Sequence, residues 1–404
     1  MSRTEVVIVG AGPAGCASAI TLAEAGRRVT VVDKAVFPRD KFCGDGLTAG
    51  ALRHLERLGL DPAAVPSWHP VTDVCLRTPA GRTVRFPLPE GHGVYGVVAR
   101  RRELDAAMVD RARAAGAEVL EGHGLVDARQ EAGRVVVDVD GHDGRRSLEA
   151  AFVIGADGMW SPLRRRLGLD QPGYRGEWHA FRQYARHVSP KAATDLWVLF
   201  ERDLLPGYFW SFPVGDGDAN IGFGVVRGHG VTTHDMKTRW PDLLARPAVQ
   251  ALLGPDAELE GAHRAWPIPT RIDEVVLTDG RALFVGDAAA AADHMTGEGI
   301  GQALATGTWA AEAILAGGGP LAVAGHYRSA IARRMVADHR FARLLGRGLA
   351  SPVGAELAIG ASGLTAWTRR NFARWLFEDY PRALVLTPRR WSRAAFAGSG
   401  AYRD

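Results

Sequence analysis

Three glycines, Gly10, Gly12 and Gly15, follow the apolar run Val6-Val7-Ile8-Val9 and open the small-residue stretch Ala14-Gly15-Cys16-Ala17-Ser18-Ala19-Ile20. That order predicts a strand, a tight turn and a helix N-terminus. The chemistry it suits is pyrophosphate binding. The first glycine makes the turn, the second lets the anion reach the backbone, and the third lets the helix pack on the strand. Free N–H groups and the positive end of the helix dipole then face the phosphates. A second strand, Val29-Thr30-Val31-Val32, ends at Asp33, the position from which a carboxylate holds a ribose hydroxyl of a dinucleotide.

Two later segments have the same build. Val153-Ile154-Gly155-Ala156-Asp157-Gly158 is a strand pattern ending in Asp-Gly, and Leu283-Phe284-Val285-Gly286-Asp287 is one ending in Gly-Asp. Either pair alone could be only a turn. With the first motif they put three strand ends at one edge of a parallel sheet, where such sheets bind ligands. Elsewhere Gly215-Asp216-Gly217 reads as a hairpin turn and Gly317-Gly318-Gly319 as a helix exit. One built-in dinucleotide site is therefore expected, and a nicotinamide partner, if used, binds transiently or elsewhere.

The elements that must position these residues are interrupted. Helices are expected at Thr48 to Leu58 and Arg102 to Ala115, and hairpins between Val119 and Phe152. From Gly173 to Pro269 the chain is rich in aromatic and β-branched residues, which predicts an antiparallel sheet with one helix near Trp240 to Leu252. A long helix starts near Gly299, and the pattern is helical from Phe341 onward. The reading divides the chain into a discontinuous nucleotide-binding domain (1–70, 95–172 and 275–340), a sheet domain for substrate (71–94 and 173–274) and a C-terminal helical segment (341–404).

Composition narrows the class. The 404 residues are 47% hydrophobic and 23% charged, with a net charge of +4, the balance of an ordinary globular protein. Lys34, Lys41, Lys191 and Lys237 are the only lysines, and no long run of like charges suggests nucleic acid. The triplet Arg164-Arg165-Arg166 reads as a solvated helix face. Cys16, Cys43 and Cys75 form no Cys-x-x-Cys pair, so no disulfide framework, zinc site or dithiol relay is expected, and no metal. A strand at the very start leaves no room for a signal peptide, and no apolar run is long enough to span a bilayer, so the expected compartment is the cytoplasm. Near the end, Trp367, Phe372, Trp375, Leu376, Phe377 and Tyr380 stand with Arg369, Arg370, Arg374 and Arg382 alongside, followed by Arg389, Arg390 and Trp391. That pattern suits peripheral membrane contact as well as a cover over the core.

These motifs resemble the FAD-dependent oxidoreductases of the para-hydroxybenzoate hydroxylase fold, from Glu5 to about Ala316. The resemblance implies an α/β architecture: a Rossmann-like FAD-binding domain with an inserted antiparallel β-sheet substrate domain and C-terminal helices. It assigns the FAD pyrophosphate to Gly10, Gly12 and Gly15, with Ala14 beside them. Asp33 takes the adenosine ribose, with Lys34 next to it. Arg101, in Arg-x-x-Leu-Asp, faces the cofactor, Asp157-Gly158 lies near it, and Gly286-Asp287 bonds the ribityl chain.

Within that group the chain is similar to the geranylgeranyl reductase family, which includes menaquinone reductases. Three stretches carry the likeness. The first is the loop Pro38-Arg39-Asp40-Lys41-x-Cys43-Gly44-Asp45-Gly46-Leu47-Thr48, which implies that Cys43 and Gly44 lie near the flavin. The second is Gly207-Tyr208-x-Trp210-x-Phe212-Pro213 followed by Gly222-x-Gly224, which implies a substrate pocket lined by Tyr208, Trp210 and Phe212, with Trp266 added. The third is the flavin-side turn Thr296-Gly297-Glu298-Gly299-Ile300. One departure stands beside it: Asp293-His294 replaces the family's Asn-Pro pair. His294 thereby becomes a candidate acid or base, alongside Cys43 and Glu298. The flavin halogenase signature Trp-x-Trp-x-Ile-Pro is absent.

The implied activity is reduction of a carbon–carbon double bond in an isoprenoid or other apolar substrate, by hydride transfer from reduced flavin. NADPH or NADH, a flavin reductase or a ferredoxin would supply the electrons. The alternative is an FAD-dependent monooxygenase, hydroxylating or epoxidising an aromatic or terpenoid metabolite of secondary metabolism; the altered Asp293-His294 pair points that way. A flavin halogenase is a weaker third reading, and a flavin carrier without turnover a fourth.

Overall fold

A computed structural model describes residues 4–228, 233–391 and 399–403. Its first sheet explains why the opening strands are apolar on both faces. Val6–Val9 lies between Val29–Val32 and Phe152–Gly155, parallel to both. Every residue of Val6–Val9 and Val29–Val32 is buried, as parallel strands covered on both faces must be. Glu118–Leu120 extends one edge and Ala282–Phe284 the other, both parallel, and Thr278–Asp279 adds an antiparallel edge.

The helix Pro13–Glu24 packs on this sheet and against the helix Ile300–Leu315. Small residues make the crossing close. A Cβ on Gly307 would lie 2.2 Å from the Ala14 carbonyl oxygen, and Ser18 Oγ donates to the Gly307 carbonyl at 2.9 Å. A three-stranded antiparallel sheet, Gly124–Glu131, Arg134–Gly141 and Gly144–Ala150, covers part of the other side.

The second large sheet has seven strands. Their order is Glu258–Ile268, Trp178–Arg186, Asp218–Val226, Tyr208–Gly215, Leu196–Leu199, Asp73–Arg77 and Thr83–Pro87. All pairs are antiparallel except Leu196–Leu199 with Asp73–Arg77. One face holds a core of Phe181, Phe209, Phe223 and Trp240, each worth about 1.5–3 kcal/mol or more by burial. The other face, with Tyr208, Trp210 and Phe212, turns toward the nucleotide-binding sheet and lines a cavity. Gly222 makes room for this: a Cβ there would lie 2.3 Å from Trp210 Cζ2.

Two helices, Thr233–Ala245 and Pro247–Leu253, stand where the sequence predicts one. Pro247 at the first turn of the second helix sets the break. The chain closes with the helices Pro320–Arg334, Val336–Leu349, Pro352–Ser362 and Ala366–Leu376. The arginine triplet is only partly a solvated face. Arg165 and Arg166 are exposed, but Arg164 donates through Nε to the Ala288 carbonyl at 2.6 Å and stacks 4.0 Å from the Phe284 ring centroid.

Candidate functional site

A single cavity of about 820 Å³ runs between the two large sheets, within the range of about 300–1,000 Å³ that ligand sites occupy. The three strand ends converge on one end of it. Gly10 adopts φ +103°, where a Cβ would lie 2.3 Å from the Ala156 carbonyl oxygen. Gly15 is as tight, with 1.8 Å from a Cβ to the Gly10 oxygen; it packs the helix on the strand and does not line the cavity. Gly12 differs. It is the residue capping Pro13–Glu24, it lines the cavity, and a Cβ there would meet only Arg39 Nη2 at 3.8 Å. The open space above Gly12 and the helix N–H groups behind it form a cradle for a pyrophosphate.

Asp33 stands at the next strand end. Its Oδ2 accepts from Ala11 N–H and its Oδ1 from Ala35 N–H, both at 2.8 Å. The carboxylate is thereby fixed on the cavity wall beside Lys34. Asp157, at the third strand end, accepts from Ser161 Oγ at 2.7 Å and Leu163 N–H at 2.8 Å. Burial, opposed by those two bonds, pushes it up to about 6. Asp157, Gly158, Gly286 and Asp287 all line the cavity, as does Ala14. Arg101 is buried and makes a bidentate pair with Asp105, both contacts at 2.8 Å; Arg39 adds a third bond to Asp105 at 2.7 Å. The glycine cradle, the fixed Asp33 and the apolar continuation of the cavity fit an FAD.

The cysteine loop is held from the seven-stranded sheet. Asn220 Nδ2 donates to the Cys43 carbonyl at 2.9 Å and to Asp45 Oδ2 at 2.7 Å. Tyr184 OH donates to the same Asp45 oxygen at 2.6 Å, and Trp210 Nε1 donates to Asn220 Oδ1 at 3.0 Å. Asp45 is fully buried, so this satisfied network is what makes its burial tolerable. Cys43 and Gly44 line the cavity. Burial raises the Cys43 thiol above its ordinary value, with the Arg101 guanidinium opposing. Lys41 lines it too, with Nζ 4.4 Å from the Trp266 ring centroid. Burial lowers its ammonium and Asp287 opposes the shift.

The turn before Ile300–Leu315 carries a concentration of buried charge. Asp293 Oδ1 accepts from Met295 N–H, Thr296 N–H and Thr296 Oγ, at 3.1, 2.8 and 2.7 Å. Its Oδ2 accepts from Arg382 Nε at 2.9 Å. Glu298 Oε1 accepts from Ile300 and Gly301 N–H at 2.8 and 3.1 Å, capping the helix, while its buried Oε2 has no partner. Glu378 accepts from Thr48 Oγ at 3.1 Å and Gln302 Nε2 at 2.8 Å, and Arg382 Nη2 lies 3.4 Å from it. Asp293 and Glu378 share one guanidinium. Burial opposes ionising Asp293, but Arg382 and the Thr296 bonds outweigh it and hold it below the usual range. Burial and then the neighbouring Glu378 push Glu298 up to about 8. Burial likewise raises Glu378, against Arg382.

Glu298, Gly297, Gly299 and Ile300 line the cavity, and so do Tyr208, Trp210, Phe212 and Trp266. Tyr208 OH donates to the Thr296 carbonyl, tying the aromatic wall to the turn. His294 is the correction. Its ring does not line the cavity. Nδ1 pairs with Thr270 Oγ at 2.7 Å and the ring packs edge-on to His339 at 5.9 Å, while its carbonyl accepts from Trp178 Nε1 at 2.9 Å. Sequence adjacency to the turn says nothing of the side a residue faces, and here the imidazole faces away. Sequence reasoning passed over Asp45, Tyr184, Asn220, Lys41, Glu378 and Arg382. For Asp45 and Lys41 a signal existed in the cysteine loop; for the others only the fold brings them in.

Comparison with known proteins agrees with this geometry. Residues 3–335 match the family model described as FAD binding domain. The menaquinone reductase of Mycolicibacterium smegmatis is 34% identical over 339 residues, 78% of each chain. A digeranylgeranylglycerophospholipid reductase of Methanopyrus kandleri is 33% identical over 319 residues, 76% of this chain and 79% of its own. Among solved structures, a geranylgeranyl bacteriochlorophyll reductase-like protein of Thermoplasma acidophilum superposes with a TM-score of 0.80 at 22% identity, covering 96% of this chain and 99% of its own. A p-nitrophenol 4-monooxygenase of Pseudomonas putida shares the fold at TM-score 0.69 and 18% identity, covering 92% and 97%. With the FAD-binding match over most of the chain and reductase relatives above 30% identity, this chain is an FAD-dependent oxidoreductase of the geranylgeranyl reductase family.

Proposed function

We propose that this protein reduces a carbon–carbon double bond in an isoprenoid-bearing, apolar substrate. The observation that carries the reading is a buried acid in the wall of an aromatic chamber: Glu298 lines the same cavity as Tyr208, Trp210 and Phe212, and its Oε2 has no hydrogen-bond partner. FAD held on Gly12 and Asp33 would, when reduced, supply a hydride to one alkene carbon. Glu298 holds a proton at neutral pH because it is buried beside Glu378. Transfer of that proton to the other alkene carbon, once the carboxyl turns toward the cavity, would complete the reduction and leave a carboxylate. The two N–H groups at the head of Ile300–Leu315 already bond Oε1 and stabilise that charge. Trp210 and Phe212 orient the chain of the substrate and exclude water.

The relatives' named substrates, menaquinone and a digeranylgeranylglycerophospholipid, support an isoprenoid. The feature that favours oxygenation is the Asp293-His294 pair; neither residue lines the cavity, so the reductase reading has the greater support. Electrons would come from NADPH or NADH directly, or through a flavin reductase or ferredoxin. The test is product analysis: dithionite-reduced holoenzyme incubated without air with a polyprenyl quinone and with a geranylgeranyl lipid. Two added hydrogens in either product support the reading. Incorporation of labelled oxygen when air is admitted, with no saturated product, overturns it.

A further inference from the structure

Of the 13 large hydrophobic side chains that are exposed among the described residues, eight lie between Leu344 and Trp391. Five of them fall on three successive helices and their junctions: Leu344 (60% exposed), Val353 (69%), Leu357 (68%), Leu364 (76%) and Trp367 (70%). Val353 and Leu357 are one turn apart on Pro352–Ser362, with exposed Ala361 a turn further. Scattered surface leucines need no explanation, but a concentration like this does.

The inner sides of the same helices are apolar too. Leu345 and Leu349, Ala358 and Ile359, and Phe372 and Trp375 line the cavity. A helix apolar on both sides is normally buried on both. Here the inner side faces the chamber, while the outer side carries apolar side chains that are exposed among the described residues.

Charge says what covers it. Between Leu344 and Arg370 the basic residues are Arg347, Arg369 and Arg370, and the one acid is Glu356. Glu356 is neutralised locally: Ala80 N–H donates to it and Arg82 lies 3.8 Å away. Arg347 and Arg370 are exposed beside the leucines. Apolar side chains with a tryptophan, flanked by arginines and by no free acid, match an anionic lipid surface. No described helix is long and apolar enough to cross a membrane, so contact lies in the interface plane. The surface also stands outside residues 3–335, which match the family model.

We infer that the outer face of the helices Val336–Leu349, Pro352–Ser362 and Ala366–Leu376 docks on an anionic membrane, so that the chamber behind it takes its substrate from lipid. The second clause rests on the proposed reduction of an isoprenoid; the docking does not.

The test is co-sedimentation of the full-length holoenzyme with phosphatidylcholine vesicles, with and without phosphatidylglycerol. The expected result is binding that rises with phosphatidylglycerol and falls with salt. The double variant Leu357→Glu/Trp367→Glu should weaken it by about tenfold or more, with bound FAD and thermal stability unchanged. Arg347→Glu/Arg370→Glu should weaken binding to the anionic vesicles selectively. Wild-type protein that sediments with neither vesicle overturns the inference. So does an apolar variant that binds as well as wild type, or a dimer in sedimentation velocity that Leu357→Glu dissociates. A protein that docks but reduces no alkene presented in detergent overturns the reductase reading and upholds the docking surface.

Discussion

Arg382, from the last part of the chain, sets its guanidinium Nε 2.9 Å from Oδ2 of Asp293, at the head of the turn that leads into the helix Ile300–Leu315. Both side chains are nearly inaccessible. The C-terminal segment therefore does more than cover the core: it supplies a buried cation to the carboxyls of Asp293 and Glu378 beside the proposed flavin site.

Removing that cation should be costly. Arg382→Ala leaves Asp293 and Glu378 without their shared partner in a dry environment, and the loss should be about 3–5 kcal/mol. Denaturant unfolding of the apoprotein measures it. Arg382→Lys should recover part of the loss, since the charge returns without the forked geometry. A loss under about 1 kcal/mol would show that the cluster is solvated.

Glu298 should govern the pH dependence. The proton to be delivered is present while Glu298 is neutral, so turnover should fall as pH rises through about 8. Glu298→Gln should lower turnover about 10²–10⁴-fold and abolish that limb. Stability should move in the same sense. The folded-state value lies above the ordinary carboxyl value, so the contribution of Glu298 is complete below the ordinary value and is lost as pH rises toward about 8. The melting temperature of Glu298→Gln should therefore gain on wild type across that window and run parallel to it above. Equal pH profiles for the two proteins would remove Glu298 as the proton donor.

The glycine turn offers a test that separates cofactor from fold. Gly12 has φ −77° and open space beside it. Gly12→Ala should leave apoprotein stability within about 0.5 kcal/mol while weakening FAD binding about tenfold or more. Gly15→Ala drives a Cβ to 1.8 Å from the Gly10 oxygen and should cost about 1–3 kcal/mol or more before any cofactor is added. Melting curves with and without FAD distinguish the two. An FAD affinity unchanged by Gly12→Ala would put the pyrophosphate elsewhere.

These contrasts show what the sequence could convey. The strand–turn–helix around Gly10, Gly12 and Gly15, Asp33 at the next strand end, and the Asp157 and Asp287 turns are local patterns, each set within a few residues. They could be read before any fold was known. The helix break at Pro247 went unread because Trp240 to Leu252 keeps its apolar period across it. The network around the cysteine loop joins residues far apart, such as Asn220 to Cys43 and Thr48 to Glu378. No spacing encodes those pairs; sheet register and the return of the C-terminal segment create them. His294 fails for the opposite reason. It sits in the right turn, but its ring is claimed by Thr270 and His339.

The most direct test of the central claim is an anaerobic absorbance experiment on FAD-loaded protein. After reduction bleaches the flavin, addition of a polyprenyl alkene should restore the oxidised spectrum in step with formation of saturated product. Reduced flavin that persists with every alkene and recovers its colour only when oxygen is admitted would contradict the account.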